Sequence, residues 1–431
     1  MKMSARYLFM LVGLGVVLLN LTSPAPSKVD FGQWRAVVVH SDDWGLEGWV
    51  PKDIGDSLRL ALADGVPHWQ EIYLASSLET AGEVQLLATA LERIRDLDDL
   101  PLVLQANTIL AGPSVREAGT ASSWPIHESG AGPDYHRPGL EAAIDGAIES
   151  GVWWPELHGL THYNLSSYAR ARARGDRLAL AAAAEGAFAY EGFRADSELD
   201  DSDRAAALAV ARESVRRFST RFGRAPTSII APDYRWGSED EAAWRQVGLS
   251  IVQARREQVD ATLPLHTLGG RARKWLRRQL LEAGDGLFGV ERTVDLEPYG
   301  DPNPAAPQGA EAAFQALREA FADGLPGVVS IHRVQLLPRA EGGEAAGLQQ
   351  LQHLFSLLHD DGGVRILVDT EVEQLWRRGW SIRSRGSGWL VRNWTSSPRR
   401  VTVPDGRSPV IPPRSSVWFR NNLPAYPESR N

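Results

Sequence analysis

The stretch Ala36-Val37-Val38-Val39-His40-Ser41-Asp42-Asp43 decides how the rest of the chain is read. Its three consecutive valines favour an extended backbone, and a continuous apolar run of this kind is the pattern of a strand buried on both faces. It ends in two adjacent carboxylates. Similar runs recur: Leu102-Val103-Leu104 before Gln105-Ala106-Asn107, Val152-Trp153-Trp154 before His158, Ser228-Ile229-Ile230 before Ala231-Pro232-Asp233, Leu249-Ser250-Ile251-Val252, Val328-Val329-Ser330-Ile331 before His332, and Ile366-Leu367-Val368 before Asp369. Helical patterns lie between them, among them Leu86–Leu91 leading to Ile94, Leu178–Ala187 and Ala205–Phe218. Strand–helix alternation predicts an α/β fold, with a parallel sheet covered by helices and either open or closed into a barrel.

In such folds the carboxyl ends of the strands form the binding face. Asp42, Asp43, His158, Asp233 and His332 each follow a predicted strand, so four strands would deliver titratable groups to one assembled site.

The composition narrows the chemistry. The 431 residues carry 46 basic and 54 acidic side chains, a net charge of −8, which argues against nucleic acid as a partner because phosphate binding wants a basic face. Only Lys2, Lys28, Lys52 and Lys274 are lysines; every other basic residue is an arginine, a skew better ascribed to genome composition than to function. Cysteine is absent, which excludes disulfides, thiolate metal sites, iron–sulfur clusters and cysteine nucleophiles. Any metal must be held by His, Asp, Glu or water.

Working outward, Lys2 and Arg6 precede a mostly apolar run through residues 7–21, followed by Thr22-Ser23-Pro24-Ala25-Pro26-Ser27. A basic start and an apolar stretch of about 15 residues fit a secretory signal better than a spanning helix, which needs about 20. Residues 1–27 are therefore expected to be a signal peptide or an anchor at the outer face of an inner membrane, with the remainder exported to the periplasm or beyond. The character changes again near residue 380. Trp389–Trp394, Arg400–Val403 and Ser416–Phe419 read as short strands separated by Ser, Pro and Gly, so residues 380–431 are expected to form a small antiparallel β-rich domain after a main domain over 28–379. The segment Glu297–Gln308 reads as a loop.

His158-Gly159-Leu160-Thr161-His162 sets two imidazoles four residues apart, a spacing that on a helix would project both to one side. Alone the motif is weak, since a pair of surface or capping histidines has the same spacing. Asp42 and Asp43 add to it: two carboxylates beyond a buried strand are costly to desolvate unless a cation or a proton is shared, although an aspartate there also caps a following helix. Asp, His and His make an oxygen-and-nitrogen set suited to a divalent ion with open positions.

The segment Val-Val-Val-His-Ser-Asp42-Asp43-Trp-Gly resembles the strand-end motif of the NodB-type polysaccharide deacetylases, carbohydrate esterase family four, with a tryptophan between the aspartates and the glycine. His158-x-x-x-His162 resembles their second motif and Ile331-His332 their late histidine, in the same chain order, over about residues 35 to 370. The resemblance implies a distorted (β/α) barrel of about seven parallel strands. It implies one divalent ion, zinc with cobalt or nickel as alternatives, on Asp43, His158 and His162. It implies Asp42 as general base and His332 as general acid.

The family's arginine-led Arg-x-Pro-Tyr motif is altered here to Ala231-Pro232-Asp233-Tyr234-Arg235-Trp236. On that alignment Tyr234 would offer its backbone N–H to an oxyanion and Arg235 would pair with Asp42, while Asp233 is a sugar-binding carboxylate or a turn residue. Glu291–Glu297 would supply a charged pair behind the site or be an ordinary strand. Trp44, Trp49, Trp153, Trp154 and Trp236 lie near the site residues in sequence and suit either stacking on sugar rings or core packing. His40 would orient Asp42 or extend the ligand set. His127 and His136 flank a glycine- and proline-rich loop and either reach the cleft or face solvent, and His353 and His359 are expected at the surface.

The function expected is a metal-dependent hydrolase removing N- or O-acetyl groups from an extracytoplasmic glycan. The alternatives are a glycan-binding or assembly protein that keeps the barrel without turnover, and a hydrolase of amides outside carbohydrate. Acetate release from acetylated oligosaccharides separates the first reading from the second, and a substrate panel including non-sugar amides separates the third.

Overall fold

The structure, a computed structural model, describes residues 29–47, 77–115, 125–132, 135–191, 198, 204–255, 259–260, 286–298, 309–337, 345–385 and 388–420. The apolar run 7–21, Trp49 and most of the loop expected after Glu297 lie outside the described residues. No helix among the described residues is long and apolar enough to cross a membrane.

The valine run forms β1 (Ala36–Trp44), buried along its whole length. The other runs form β2 (Leu104–Thr108), β3 (Trp153–Leu157), β4 (Ser228–Ile229), β5 (Ile251–Arg255), β6 (Phe288–Arg292), β7 (Val294–Asp295), β8 (Gly327–His332) and β9 (Arg365–Leu367). Every pairing among them is parallel, in the order β6-β5-β4-β3-β2-β1-β8-β7. Only Thr293 separates β6 from β7, so one extended segment pairs with β5 through its first half and with β8 through its second. That segment nearly closes the sheet into a barrel, and counting it once gives seven positions round the ring. The expected parallel α/β barrel is the fold of the chain. β9 is an eighth piece, wedged beside Ala36–Val38 on the edge of β1 that β2 occupies further along.

Helices cover the outside. Ala81–Arg93 starts at a capping box, in which Thr80 Oγ1 accepts from the Glu83 N–H at 3.3 Å and Glu83 accepts from the Thr80 N–H at 2.7 Å. It buries Val84, Leu87, Ala90 and Leu91 in a core shared with Val37, Val39, Val329 and Ile331. The expected helices over 178–187 and 205–218 form as Arg177–Glu185 and Arg204–Phe222.

Inside the barrel the two-residue period of the strands stacks layers. Val38, Ile251, Val290, Val328 and Leu367 fill the lower layer. Two residues on, His40, Gln253, Arg292 and Ser330 form a polar layer completed by Gln105 and Ser228. Two further on, β1, β2 and β8 present Asp42, Asn107 and His332 at the mouth.

The C-terminal region forms an antiparallel sheet of β10 (Trp380–Arg385), β11 (Gly388–Asn393) and β12 (Ser415–Arg420), with a short hairpin of Arg399–Arg400 against Val410–Ile411. It packs beneath the barrel's N-terminal end. Trp394 stacks on Trp34, just before β1, at 4.7 Å, and Arg392 Nε donates to Asp98, just before β2, at 3.2 Å.

Candidate active site

Adjacent strand residues normally point to opposite faces, so two consecutive carboxylates cannot both enter one site from a regular strand. Here the pairing slips. Ser41 pairs with Ala106 and Trp44 with Thr108, so three steps on β1 match two on β2, and Asp43 takes a left-handed φ of 69°. The bulge turns both aspartates to the mouth. Register does the rest of the assembly, because Asp42 is the direct partner of His332 on β8.

His158 and His162 follow β3 on a loop, not on the helix that their spacing suggested. Gly159 at φ 68° and His162 at φ 69° coil the chain tightly enough to bring both rings to one side, with centroids 5.0 Å apart. Glu198 clamps the loop by accepting from the N–H groups of Leu160 at 2.9 Å and Thr161 at 2.5 Å. A Cβ on residue 159 would stand 1.9 Å from its carboxylate, so the turn demands glycine. His158 Nε2 lies 3.2 Å and His162 Nε2 3.4 Å from Asp43 Oδ1.

These three residues fit a divalent ion. Their donor atoms lie within 4.8 Å of one another, and Asp43 and His158 are buried. His158 Nδ1 lies 3.2 Å from the Ile230 carbonyl, so neutral His158 donates there and aims the Nε2 lone pair at the cluster, the outer contact that ligand histidines characteristically make. Two of the three donors sit on left-handed backbone at a cost, as residues of functional sites often do.

Asp42 has a different set of partners. Arg292, at the end of β6, donates from Nη1 to Oδ2 at 2.6 Å and from Nη2 to Oδ1 at 2.7 Å, and Asn107 adds a bond at 2.7 Å. Burial alone would raise the Asp42 pKa, but the Arg292 charge and its two bonds hold the carboxyl well below the usual carboxylate range. Arg292 also donates to the Tyr234 hydroxyl at 2.7 Å and the Ser330 hydroxyl at 2.9 Å. It thus takes the place expected of Arg235, which lies instead by Leu157, Gly159 and Glu198.

His332, partly open to solvent, has the opposite environment. Glu297 accepts from its Nδ1 at 2.7 Å and from its backbone N–H at 3.2 Å. Burial would lower the imidazole pKa; the Glu297 charge and hydrogen bond, with Asp43 and Asp42 beyond, push it well above its ordinary value. Asp43 is held low against burial by the His158 hydrogen bond and the charges of His162 and His332. His158 is raised in turn, burial notwithstanding, by its bond to Asp43 and by both aspartates. The mouth therefore places an ionised carboxylate beside a protonated imidazole, with three ligand atoms facing both.

Several expected contributors sit elsewhere. Trp44 is fully buried, donates to Ser41 Oγ at 3.0 Å and packs edge-on against Trp153 at 4.3 Å, so neither ring offers a face to a sugar. Trp236 is buried as well, and Trp154 lies on the outer side under Arg224. The Tyr234 N–H is spent on the Ala231 carbonyl at 3.0 Å and is not free for an oxyanion. Asp233, by contrast, remains at the rim of the site on left-handed backbone, within electrostatic reach of His162, Asp43 and His158. His40 neither touches Asp42 nor joins the ligands; it bridges Asp369 and Arg292. His127 pairs with Glu47 at 2.8 Å, and His136, His353 and His359 are exposed.

Sequence reading missed Asp369 and gave Arg292 and Glu297 only as members of a charged segment. The signal was present, since both lie within a few residues of a strand end, but chain order gave no reason to bring them to Asp42 and His332.

No family model and no curated protein matches the sequence. Solved structures similar to the chain include a Mycobacterium smegmatis protein described as a polysaccharide deacetylase, at 12% identity over 82% of this chain and 94% of that one, with a TM-score of 0.41. Another is a family 4 acetyl xylan esterase from Clostridium thermocellum in complex with a cobalt ion, at 9% identity over 79% and 91% and a TM-score of 0.32. A third is Puue allantoinase, at 14% identity over 83% and 96% and a TM-score of 0.41. The similarity is one of general course, and the chemistry has to be read from the side chains.

Proposed function

We propose that the protein is a metal-dependent hydrolase that removes N- or O-acetyl groups from an extracytoplasmic polysaccharide. The observation that carries this reading is the meeting, at one barrel mouth, of an Asp/His/His donor set with a carboxylate held ionised by Arg292 and an imidazole held protonated by Glu297. Asp43, His158 and His162 would hold the ion, and their mixed nitrogen and oxygen donors suit zinc, cobalt or nickel. Bound there, a divalent ion would act as a Lewis acid, lowering the pKa of water and polarising an acyl carbonyl.

The chain's own groups divide the proton work. Asp42 accepts the proton of the attacking water as its oxygen bonds to the acyl carbon. His332 delivers a proton to the departing nitrogen or oxygen as the C–N or C–O bond breaks. Arg292 keeps Asp42 ionised and fixes its orientation.

The non-catalytic alternative drew its support from the missing leading arginine. Arg292 supplies a guanidinium to the same carboxylate from another strand, so turnover is the reading the geometry favours. Export, through the apolar run at 7–21, is part of the proposal.

The test joins metal content, by plasma mass spectrometry, to acetate release from acetylated oligosaccharides and from non-sugar amides. The parent is expected to hold about one ion per chain and His162→Ala to lose it, with turnover confined to the sugars. A parent that binds neither zinc, cobalt nor nickel would sink the hydrolase reading, while turnover of the amides alone would move the substrate outside carbohydrate.

A further inference from the structure

One layer below Asp42 the barrel holds a polar circuit that proton transfer at the mouth does not by itself require. His40 is fully buried, with Nε2 2.7 Å from Asp369 Oδ1 and Nδ1 3.2 Å from Arg292 Nε. An ionised carboxylate has no proton to give and a guanidinium has no lone pair to offer. Neutral His40 therefore satisfies both neighbours in a single tautomer, with its proton on Nε2 and its lone pair on Nδ1. Asp369 is itself fixed by Gln105, whose Nε2 donates to Oδ2 at 2.6 Å and whose Oε1 accepts the Asp369 N–H at 3.0 Å.

A guanidinium is planar, so directing Nε also directs Nη1 and Nη2, the two groups that clamp Asp42. We propose that His40 and Asp369 are positioning residues that set the plane of Arg292 and through it aim the Asp42 carboxylate at the mouth; the proposal rests on the hydrolase reading above. Core filling is a poor account of the pair. The layer beneath is filled by Val38, Ile251, Val290, Val328 and Leu367, and replacing both partners of a buried hydrogen bond by apolar groups of the same shape is nearly neutral or stabilising. The chain also needs such a device. Its arginine comes from β6, two positions round the ring from β1 with β8 between them, and the strand carrying it does not itself set the angle of a long side chain.

Two variants separate the contacts. His40→Asn sets an amide oxygen near the place of Nδ1 and can still accept from Arg292; His40→Gln sets its amide near the place of Nε2 and keeps mainly the Asp369 contact. With metal content and KM held, kcat is expected to fall about ten- to hundredfold in His40→Gln and distinctly less in His40→Asn. Equal losses, the reverse order, or a change in KM with kcat held would overturn the proposal. A measurement that needs no substrate keeps it falsifiable if the variants do not fold. The ring ¹⁵N shifts of His40 in the intact protein should show a protonated Nε2 and an unprotonated Nδ1, and a proton on Nδ1 would overturn the proposal outright. A parent that binds metal but releases no acetate counts against the hydrolase reading alone, since the ring proton still decides whether His40 serves Arg292.

Discussion

Asp42 and His332 are register partners on neighbouring strands, yet their proton affinities are driven in opposite directions. The cause is local: a guanidinium bonds one carboxylate twice, and a carboxylate takes the Nδ1 proton of one imidazole. Separating pKa values in this way is how adjacent groups divide acid and base work. Glu297→Gln tests the acid. His332 can donate only while protonated, so turnover is lost as pH rises through its pKa, and Glu297 holds that pKa up. The variant should therefore move the alkaline limb of kcat to lower pH with metal content unchanged; a limb that stays in place would assign it to another group. Asp42→Asn tests the base. It should abolish acetate release while the ion stays bound, because Asp42 faces Arg292 and Asn107 and stands apart from the ligand atoms. Loss of metal in that variant would place Asp42 among the ligands instead.

The elements explain how such residues meet, and also what the sequence could reveal. Period and punctuation exposed β1, the strand ends and the two histidines, because a buried parallel strand announces itself as a valine run and a site residue as the polar break after it. The slip between Ser41 and Trp44 left no such mark, since a bulge is a relation between two strands and not a pattern in one. The same holds for Arg292: its partner is 250 positions away in sequence, and only the closure of the barrel through 288–295 brings them together. The spacing of His158 and His162 was legible, but the backbone carrying it was not. A four-residue interval fits a helical turn as well as a loop coiled by left-handed residues at 159 and 162. That loop should be sensitive at one position. Gly159→Ala adds a Cβ where Glu198 lies and strains a left-handed φ, so the loop must shift and the two imidazoles with it. Weaker zinc binding by at least tenfold in titration calorimetry, with the fold retained by circular dichroism, is expected. Unchanged zinc affinity would mean that the loop takes its shape from the metal and not from Glu198.

At the scale of the whole molecule, the C-terminal sheet meets the barrel at the end opposite the mouth. Its attachment is an ion network: Glu371, wholly buried, accepts from Arg392 and, at 2.8 Å, from Arg383, while Arg392 also reaches Asp98. Trp394 covers Phe31 and Trp34 beside it. Antiparallel strands and a change of composition led to the expectation of a separate domain from residue 380. The contacts argue that this region also braces the barrel, because parting the two would leave the Glu371 carboxylate without either guanidinium. Removing one partner of a buried pair leaves an uncompensated charge and costs about 3–5 kcal/mol, whereas exposed pairs such as Arg377–Glu373 are worth well under 1 kcal/mol. Arg392→Met should therefore lower the urea midpoint by the larger amount and Arg377→Met hardly at all. Acetate release per folded molecule should be the same in both, since the network lies beneath the polar layer and away from Asp42, Asp43 and His332. A small loss in Arg392→Met would mean that Arg383, on β10 of the same sheet, satisfies Glu371 without it. A large loss would make residues 380–420 part of the barrel's stability, so a chain cut at 379 would fail before its chemistry could be measured.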